Sequence, residues 1–245
     1  MTTQSTTTQS TTTQSTTTLI TGGNKGLGYE TARRLKEQGH RVVIGARDAE
    51  KGWQAAAALG VESVQLDVTS DASVAAAAAD VEARFSRLDV LVNNAGITGP
   101  DVAIDEVDGP VLAAVLDTNT VAVARTTHAF LPLLRRSAAP VIVNVSSGLG
   151  SFDVRADETR IEHSVPSLAY SASKAAMNML TSVYAQFLPG IRVNVVDPGY
   201  TATDLNGHSG PQTVTEGTDA VVAMATIGSD GPTGTFTDRD GSVAW

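Results

Sequence analysis

Cysteine is absent from all 245 residues, which excludes disulfides, thiolate nucleophiles and zinc–thiolate sites. Aromatic residues make up only 4% of the chain. Its four histidines, His40, His128, His163 and His208, show no close ligand spacing, so no metal site is expected. Every apolar run falls well short of the roughly eighteen residues that a membrane-spanning helix needs. The N-terminus lacks the basic stretch and apolar core of a secretory signal. Clustered basic residues are also missing. With 17 Lys and Arg against 26 Asp and Glu, the formal charge is -9, which argues against nucleic-acid binding because phosphate contacts require grouped cations. These absences predict a cytoplasmic protein that acts on a small molecule, with no nucleic-acid or membrane partner.

What is present falls into two parts. Residues 1–16 are a Thr/Ser/Gln repeat with nothing to bury and are expected to be a disordered tail. From residue 17 to 245, strand-like and helix-like segments alternate. Strands are expected at 17–21, 41–46, 63–66, 88–92, 140–145, 191–196 and 235–237. Helices are expected at 26–38, 49–59, 71–85, 111–134 with a break near Asn119, 170–187, and from the Thr213-x-x-Glu216 capping box to 225. The strands read as near-continuous apolar runs such as Val90-Leu91-Val92, as suits strands buried on both faces. This pattern predicts an α/β fold: one doubly wound parallel sheet, Rossmann-like, with about seven strands and helices on both faces.

The loop from Thr21 to Gly28 joins the first strand to the first helix. Its residues Gly22, Asn24, Lys25, Gly26, Leu27 and Gly28 would let the backbone approach a pyrophosphate, with free N–H groups of the helix start facing it. The spacing is Gly-x-x-x-Gly-x-Gly, which departs from the usual dinucleotide fingerprint. An NAD site places an acidic side chain at the end of the second strand. Here that position holds Arg47, with Asp48 one place later. Arg47 together with Lys25 points to a 2′-phosphate and so to NADPH (NADP+). If both cations are merely solvated, NAD remains open. Asp67 and Val68 are placed to bracket an adenine, and the turn containing Asn94, Ala95 and Gly96 lies at the carboxyl edge, where such sheets bind ligands.

Tyr170 precedes Lys174 by one helical turn, so the two side chains share a helix face. A phenol is a poor proton carrier at neutral pH, and a neighbouring ammonium is expected to lower its pKa.

Taken together, the chain from Leu19 onward resembles the short-chain dehydrogenase/reductase family. The likeness rests on the 21–28 loop, Asn93-Asn94-Ala95-Gly96, Asn119, Ser146-Ser147, Tyr170 to Lys174, and Asp197-Pro198-Gly199. Gly22-Gly23-Asn24-Lys25-Gly26 and Ala46-Arg47-Asp48 are most similar to the NADPH-dependent carbonyl reductases. The resemblance implies that Ser147 aligns a substrate carbonyl and Tyr170 protonates the developing alkoxide. It implies that Lys174 holds the cofactor ribose and lowers the Tyr170 pKa, and that Asn119 pins a water linking Lys174 to solvent. Pro198, Gly199, Thr201 and Thr203 would border the nicotinamide.

The stretch between Ser147 and Tyr170 is longer than is common in the family. It is expected over the substrate mouth or against the helix faces where many members pair, which leaves monomer or homo-oligomer undecided. Leu149, Phe152, Leu168, Tyr200 and Leu205 are candidate pocket residues. The function expected is reduction of a small ketone or aldehyde by NADPH. The alternatives are a non-catalytic NADP(H)-binding sensor or scaffold, and an epimerase or dehydratase with tightly held cofactor.

Overall fold

Why the chain folds into layers is visible in its strands, where successive residues serve opposite cores. In the computed structural model, which describes residues 15–245, the strands are β1 (Thr17–Thr21), β2 (Arg41–Ala46), β3 (Glu62–Gln65), β4 (Val90–Asn93), β5 (Val141–Val145), β6 (Arg192–Val196) and β7 (Phe236–Thr237). They form one sheet in the order β3-β2-β1-β4-β5-β6-β7, and every neighbouring pair is parallel. Side chains alternate faces along a strand. Ile20, Val42, Ile44, Val90, Val92, Val141 and Val143 therefore pack into one apolar cluster. Their neighbours Leu19, Val43, Leu91 and Ile142 pack into another. Of the tail expected at 1–16, residues 1–14 lie outside the described residues.

The helices covering the two faces are α1 (Gly26–Glu37), α2 (Ala49–Leu59), α3 (Asp71–Phe85), α4 (Gly109–Leu116), α5 (Ala122–Leu134), α6 (Phe152–Ala156), α7 (Leu168–Phe187), α8 (Val214–Gly217) and α9 (Asp219–Ala225). Local chemistry sets their ends. The Asp48 and Ser70 side chains accept from the backbone N–H of Lys51 and Ser73, and so cap α2 and α3. Gly60 closes α2 in the left-handed conformation, where a side chain would be strained. Among the described residues no helix is long and apolar enough to cross a membrane.

Two helix expectations are corrected by the structure, and the long stretch after Ser147 gains elements of its own. The helix expected at 111–134 does not break near Asn119; it widens into a π-turn at Asp117–Val121, with the Ala122 N–H bonded to the Asp117 carbonyl. The helix after the capping box is divided at Thr218 into α8 and α9. The long stretch after Ser147 carries α6 and a 3-10 turn at Ile161–Ser164. It folds over the turn that follows β5, and its start is tied down by bonds from Ser151 Oγ to the Ala244 carbonyl (2.7 Å) and from the Asp153 N–H to the Trp245 carbonyl (3.3 Å). Met179, Val183 and Phe187 on α7 stay exposed.

The sheet order reverses direction between β1 and β4, so the loops leaving their carboxyl ends diverge and open a crevice. A chain of buried polar groups holds the helices flanking that crevice. Thr126 donates to Asn93 (2.8 Å), Asn93 to Asn144 (2.8 Å) and Asn144 to Thr181 (2.8 Å), joining α5, β4, β5 and α7. A second link runs from Ser146 to Asn178 (2.6 Å), whose amide donates to the Gly150 carbonyl (3.1 Å).

Gly150 lies so close to α7 that a Cβ there would come within 2.7 Å of the Lys174 backbone and Cβ. Gly150→Ala is expected to cost about 1–3 kcal/mol in urea unfolding, as overpacking does. Gly228→Ala, which meets nothing within 4 Å, is expected to leave stability unchanged.

Candidate active site

The glycine loop is built around a close approach. Gly22 has a φ of 64°, and a Cβ on it would lie 3.1 Å from the Ala95 Cα and 3.2 Å from the Asn94 amide. A Cβ on Gly28 would strike the Gly22 carbonyl and lie 2.6 Å from the Asn94 amide nitrogen. Asn94 holds this arrangement by donating to the carbonyls of Thr21 (2.9 Å) and Gly22 (3.2 Å). The Thr21 hydroxyl accepts the backbone N–H groups of Asn94 and Ala95, each at 3.0 Å. Thr21 thus organises the crevice, a role hidden in the sequence by its place inside an ordinary strand.

Unlike α2 and α3, α1 begins without a side-chain cap or an acidic residue in its first turn. Its first N–H groups and its positive dipole end are left for an anion. Leu27 lies at the base of this helix against Gly217, Asn24 is half-buried, and Gly26 faces Thr203 at 3.8 Å.

The cations expected near a 2′-phosphate separate. Arg47 is exposed at the end of β2 next to Asp67, and among the described residues its guanidinium has no hydrogen-bond or ion-pair partner. Lys25 does not join it; it pairs with Asp204 at 3.2 Å, and Asp204 also meets His208 at 2.8 Å. The Asp67 carboxylate is held below its ordinary pKa, first by the Thr69 hydroxyl and then by the Thr69 N–H and the Arg47 and Arg125 charges. Val68 is buried and its carbonyl accepts from Arg125 at 2.7 Å.

Deeper in the crevice, Gly96 brings Asn119 and Lys174 together. A Cβ on Gly96 would lie 3.3 Å from Asn119 Oδ1 and 3.8 Å from Lys174 Nζ. The Asn119 side chain is committed to protein groups: Oδ1 accepts the Ile97 N–H (2.8 Å), and Nδ2 donates to the Ile97 carbonyl (2.8 Å) and to Ser173 Oγ (2.9 Å). Its amide therefore clamps the Ile97 segment to α7. Ser173, the partner that makes the clamp possible, sits within the Tyr170–Lys174 motif and was given no role from sequence.

Lys174 is 3% exposed and donates from Nζ to the Val145 carbonyl at 2.7 Å. Burial pushes its pKa down to about 8, against a smaller upward pull from Asp197. The ammonium lies over the Tyr170 ring, 5.4 Å from its centroid. The Tyr170 pKa is raised, first by burial and next by the Asp197 carboxylate, while a hydrogen bond with Ser147 lowers it. The expected lowering by Lys174 is therefore corrected: the ammonium faces the ring and a strand carbonyl. The Ser147 hydroxyl lies beside that of Tyr170.

After β6, Asp197 is buried and accepts the Gly199 N–H at 2.9 Å. Gly199 has a φ of 68° and abuts the Gln212 amide. Thr201 donates to the Pro198 carbonyl (2.9 Å), and Thr203 is buried. The pocket residues are more open than expected. Leu149 is half-buried, whereas Leu168, Tyr200 and Leu205 are exposed and Phe152 is 81% exposed, so Phe152 closes no wall. A separate cavity of about 570 Å³, lined by His40, Asp89 and Ser137 among others, contains none of these residues.

Asn119→Ala leaves the Ile97 N–H and carbonyl without their side-chain partner and removes the donor to Ser173 Oγ, which keeps its bond to the Tyr170 carbonyl. The expected cost is about 1–3 kcal/mol, measurable by denaturant unfolding.

Comparison with known proteins agrees with this geometry. The family model described as short chain dehydrogenase matches residues 16–213. The chain is 32% identical to (-)-isopiperitenone reductase of Mentha piperita, over 92% of this chain and 97% of that protein. It is also 32% identical to salutaridine reductase of Papaver bracteatum, over 90% and 93% of the two chains. In structure it is similar to the NADPH-bound carbonyl reductase from chicken fatty liver, with a TM-score of 0.84, 28% identity, and coverage of 95% of this chain and 100% of that one. The chain belongs to the short-chain dehydrogenase/reductase family of oxidoreductases.

Proposed function

We propose that the protein is an NADPH-dependent reductase of a small apolar ketone or aldehyde, with Tyr170 as the proton donor. The observation that carries this reading is the meeting of the Ser147 and Tyr170 hydroxyls beside the buried Lys174 ammonium.

The chain fits the cofactor that its family uses. Gly22 and Gly28 sit where any side chain would collide, and the uncapped α1 start offers donors to a pyrophosphate. Arg47, whose guanidinium has no partner among the described residues, would take the 2′-phosphate as a bidentate pair. The chicken carbonyl reductase named above carries NADPH, which supports the same choice. Pro198, Gly199, Thr201 and Thr203 would border the nicotinamide ring, and Lys174 would hold the ribose hydroxyls. When bound, the reduced nicotinamide supplies the hydride that the carbonyl carbon receives.

The residues of the chain manage the proton. Ser147 donates a hydrogen bond to the substrate carbonyl oxygen and fixes it near Tyr170. Tyr170, whose pKa is raised by burial, stays protonated at neutral pH and so has a proton to give. As the carbonyl carbon is reduced, that proton passes from Tyr170 Oη to the developing alkoxide, leaving a phenolate that is reprotonated from solvent. Lys174, still largely charged below pH 8, balances the phenolate while it exists. Exposed Leu168, Tyr200 and Leu205 lie on segments leaving the same edge of the sheet, and they favour an apolar substrate at an open mouth.

Tyr170→Phe is expected to lower carbonyl reduction by roughly 10²–10⁴-fold while NADPH binding, followed by cofactor fluorescence, is retained. Full turnover in this variant overturns the assignment of the acid. Arg47→Asp is expected to shift the NADPH/NADH preference in kcat/KM toward NADH by roughly tenfold or more, the scale of a hydrogen bond to a charged group. An unchanged ratio across a panel of aldehydes, ketones, quinones and keto esters refutes the 2′-phosphate reading.

A further inference from the structure

Arg125 takes no part in the chemistry of Ser147, Tyr170 and Lys174, yet it is held on three sides. Its side chain is only 16% exposed, and each of its three guanidinium nitrogens donates to a protein acceptor. Nε donates to the Asp71 carboxylate, Nη1 to the Val68 carbonyl (2.7 Å) and Nη2 to the Asp117 carboxylate (3.1 Å). Asp71 opens α3, Val68 lies in the turn between β3 and α3, and Asp117 opens the π-turn that leads into α5. One side chain on α5 thus ties the β3–α3 turn to the π-turn.

The β3–α3 turn carries Asp67 and Val68, the residues placed to bracket an adenine. Its shape is made locally. Thr69 donates to Asp67 Oδ1 from its N–H (3.0 Å) and its hydroxyl (2.7 Å), and Ser73 Oγ accepts the Asp67 N–H (2.9 Å). Asp67 Oδ2 has no hydrogen-bond partner among the described residues, so it is left as an acceptor for an exocyclic amine. Local bonds fix the form of a turn but not its place in the crevice. That place is set at Val68, whose side chain packs in the core while Arg125 holds its carbonyl.

The π-turn makes this brace possible. Asp117 precedes Arg125 by eight residues. On an unbroken α-helix that spacing runs about 80° past two full turns, off the shared face. The extra residue of a π-turn takes back about 100°, which leaves the two side chains within about 20° of each other. The same turn carries Asn119, bonded to Ile97 and Ser173. The adenine-side turn and the helix of Tyr170 are therefore braced from one π-turn.

We propose that Arg125 is a positioning residue for the adenine end of the nucleotide: it holds Asp67 and Val68 in place, and Asp117 holds Arg125 in that pose. The inference rests on the NADP(H) reading above and adds to it a residue remote from the glycine loop. A lysine at this position keeps the charge but gathers its donors on one atom. It cannot serve three acceptors spread around a planar fork.

The test titrates the full chain calorimetrically with adenosine 2′,5′-bisphosphate, which carries the adenine and the 2′-phosphate but no nicotinamide. Arg125→Lys is expected to weaken this binding about tenfold, the scale of one hydrogen bond to a charged group. Asp117→Asn is expected to weaken it about threefold, the scale of a partly exposed ion pair. Arg125→Lys that binds the bisphosphate as tightly as the wild type does overturns the positioning role and leaves the NADP(H) reading standing. A wild type that binds neither the bisphosphate nor NADPH overturns both. In a second arm, reduced nicotinamide mononucleotide, which lacks the adenine, replaces NADPH as hydride donor. The Arg125→Lys loss in kcat/KM is expected to be about tenfold larger with NADPH than with the mononucleotide, and to fall on KM. Equal losses with the two donors show a general loosening of the site and overturn the proposal. The Asp117 side chain is 42% exposed, so Asp117→Asn decides the matter if Arg125→Lys fails to fold. An unchanged bisphosphate affinity in that variant overturns the brace.

Discussion

A lysine ammonium taken out of water must be given a partner, and in this chain that requirement fixes the active edge. Lys174 is almost fully buried, and it spends one donor on the Val145 carbonyl at the end of β5. A buried charge that loses its partner costs several kcal/mol, so α7 cannot drift along the sheet without exposing that cost. Tyr170, one turn earlier on the same helix, is carried to the same edge. Ser147, two residues beyond Val145, is brought to meet it. Gly150 makes the contact possible, because only a residue without a side chain lets the turn after Ser147 touch the Lys174 backbone.

The rest of the interior reinforces that placement with polar groups as well as apolar ones. Thr126, Asn93, Asn144 and Thr181 form a buried hydrogen-bonded series across two helices and two strands. Each link would be costly if left unmade, so the series acts as a register key between the sheet and its helices. The π-turn at Asp117–Val121 belongs to the same economy. It rotates Asn119 into contact with Ile97 and Ser173 and lets Thr120 donate to the Ser173 carbonyl at 2.9 Å. An unbroken α-helix would have kept its ordinary hydrogen bonds and lost those.

The layered fold was legible in the sequence because its signals are local. Apolar runs flanked by Gly-rich turns mark buried parallel strands, and Leu19/Ile20 or Val43/Ile44 need no partner information to be read. The glycine loop and Tyr170–Lys174 were legible for the same reason, since fixed spacing on one element determines which side chains share a face. What escaped depended on contacts distant in sequence. Ser173 matters because Asn119 lies 54 residues away. Glu162 finds its neighbour only when the long stretch folds back on Gly148. The pairing of Lys25 with Asp204 was equally hidden, and it assigns Arg47 alone to the end of β2.

The misread interaction between Lys174 and Tyr170 shows which effect wins when a charge and a phenol are buried together. From spacing, an ammonium near a phenol should lower its pKa, and that holds when Nζ approaches the hydroxyl. Here Nζ lies over the ring face. A cation over an aromatic face is worth about 0.5–2 kcal/mol, or roughly one pKa unit. Desolvation is worth up to about 3–5 units for a fully buried group such as Lys174, and less for the half-buried Tyr170. Burial therefore dominates both partners, raising Tyr170 and lowering Lys174, and the Asp197 charge adds to the rise of the phenol. The arrangement holds a neutral phenol beside a modestly acidic ammonium. That is the state that the proposed proton donor requires.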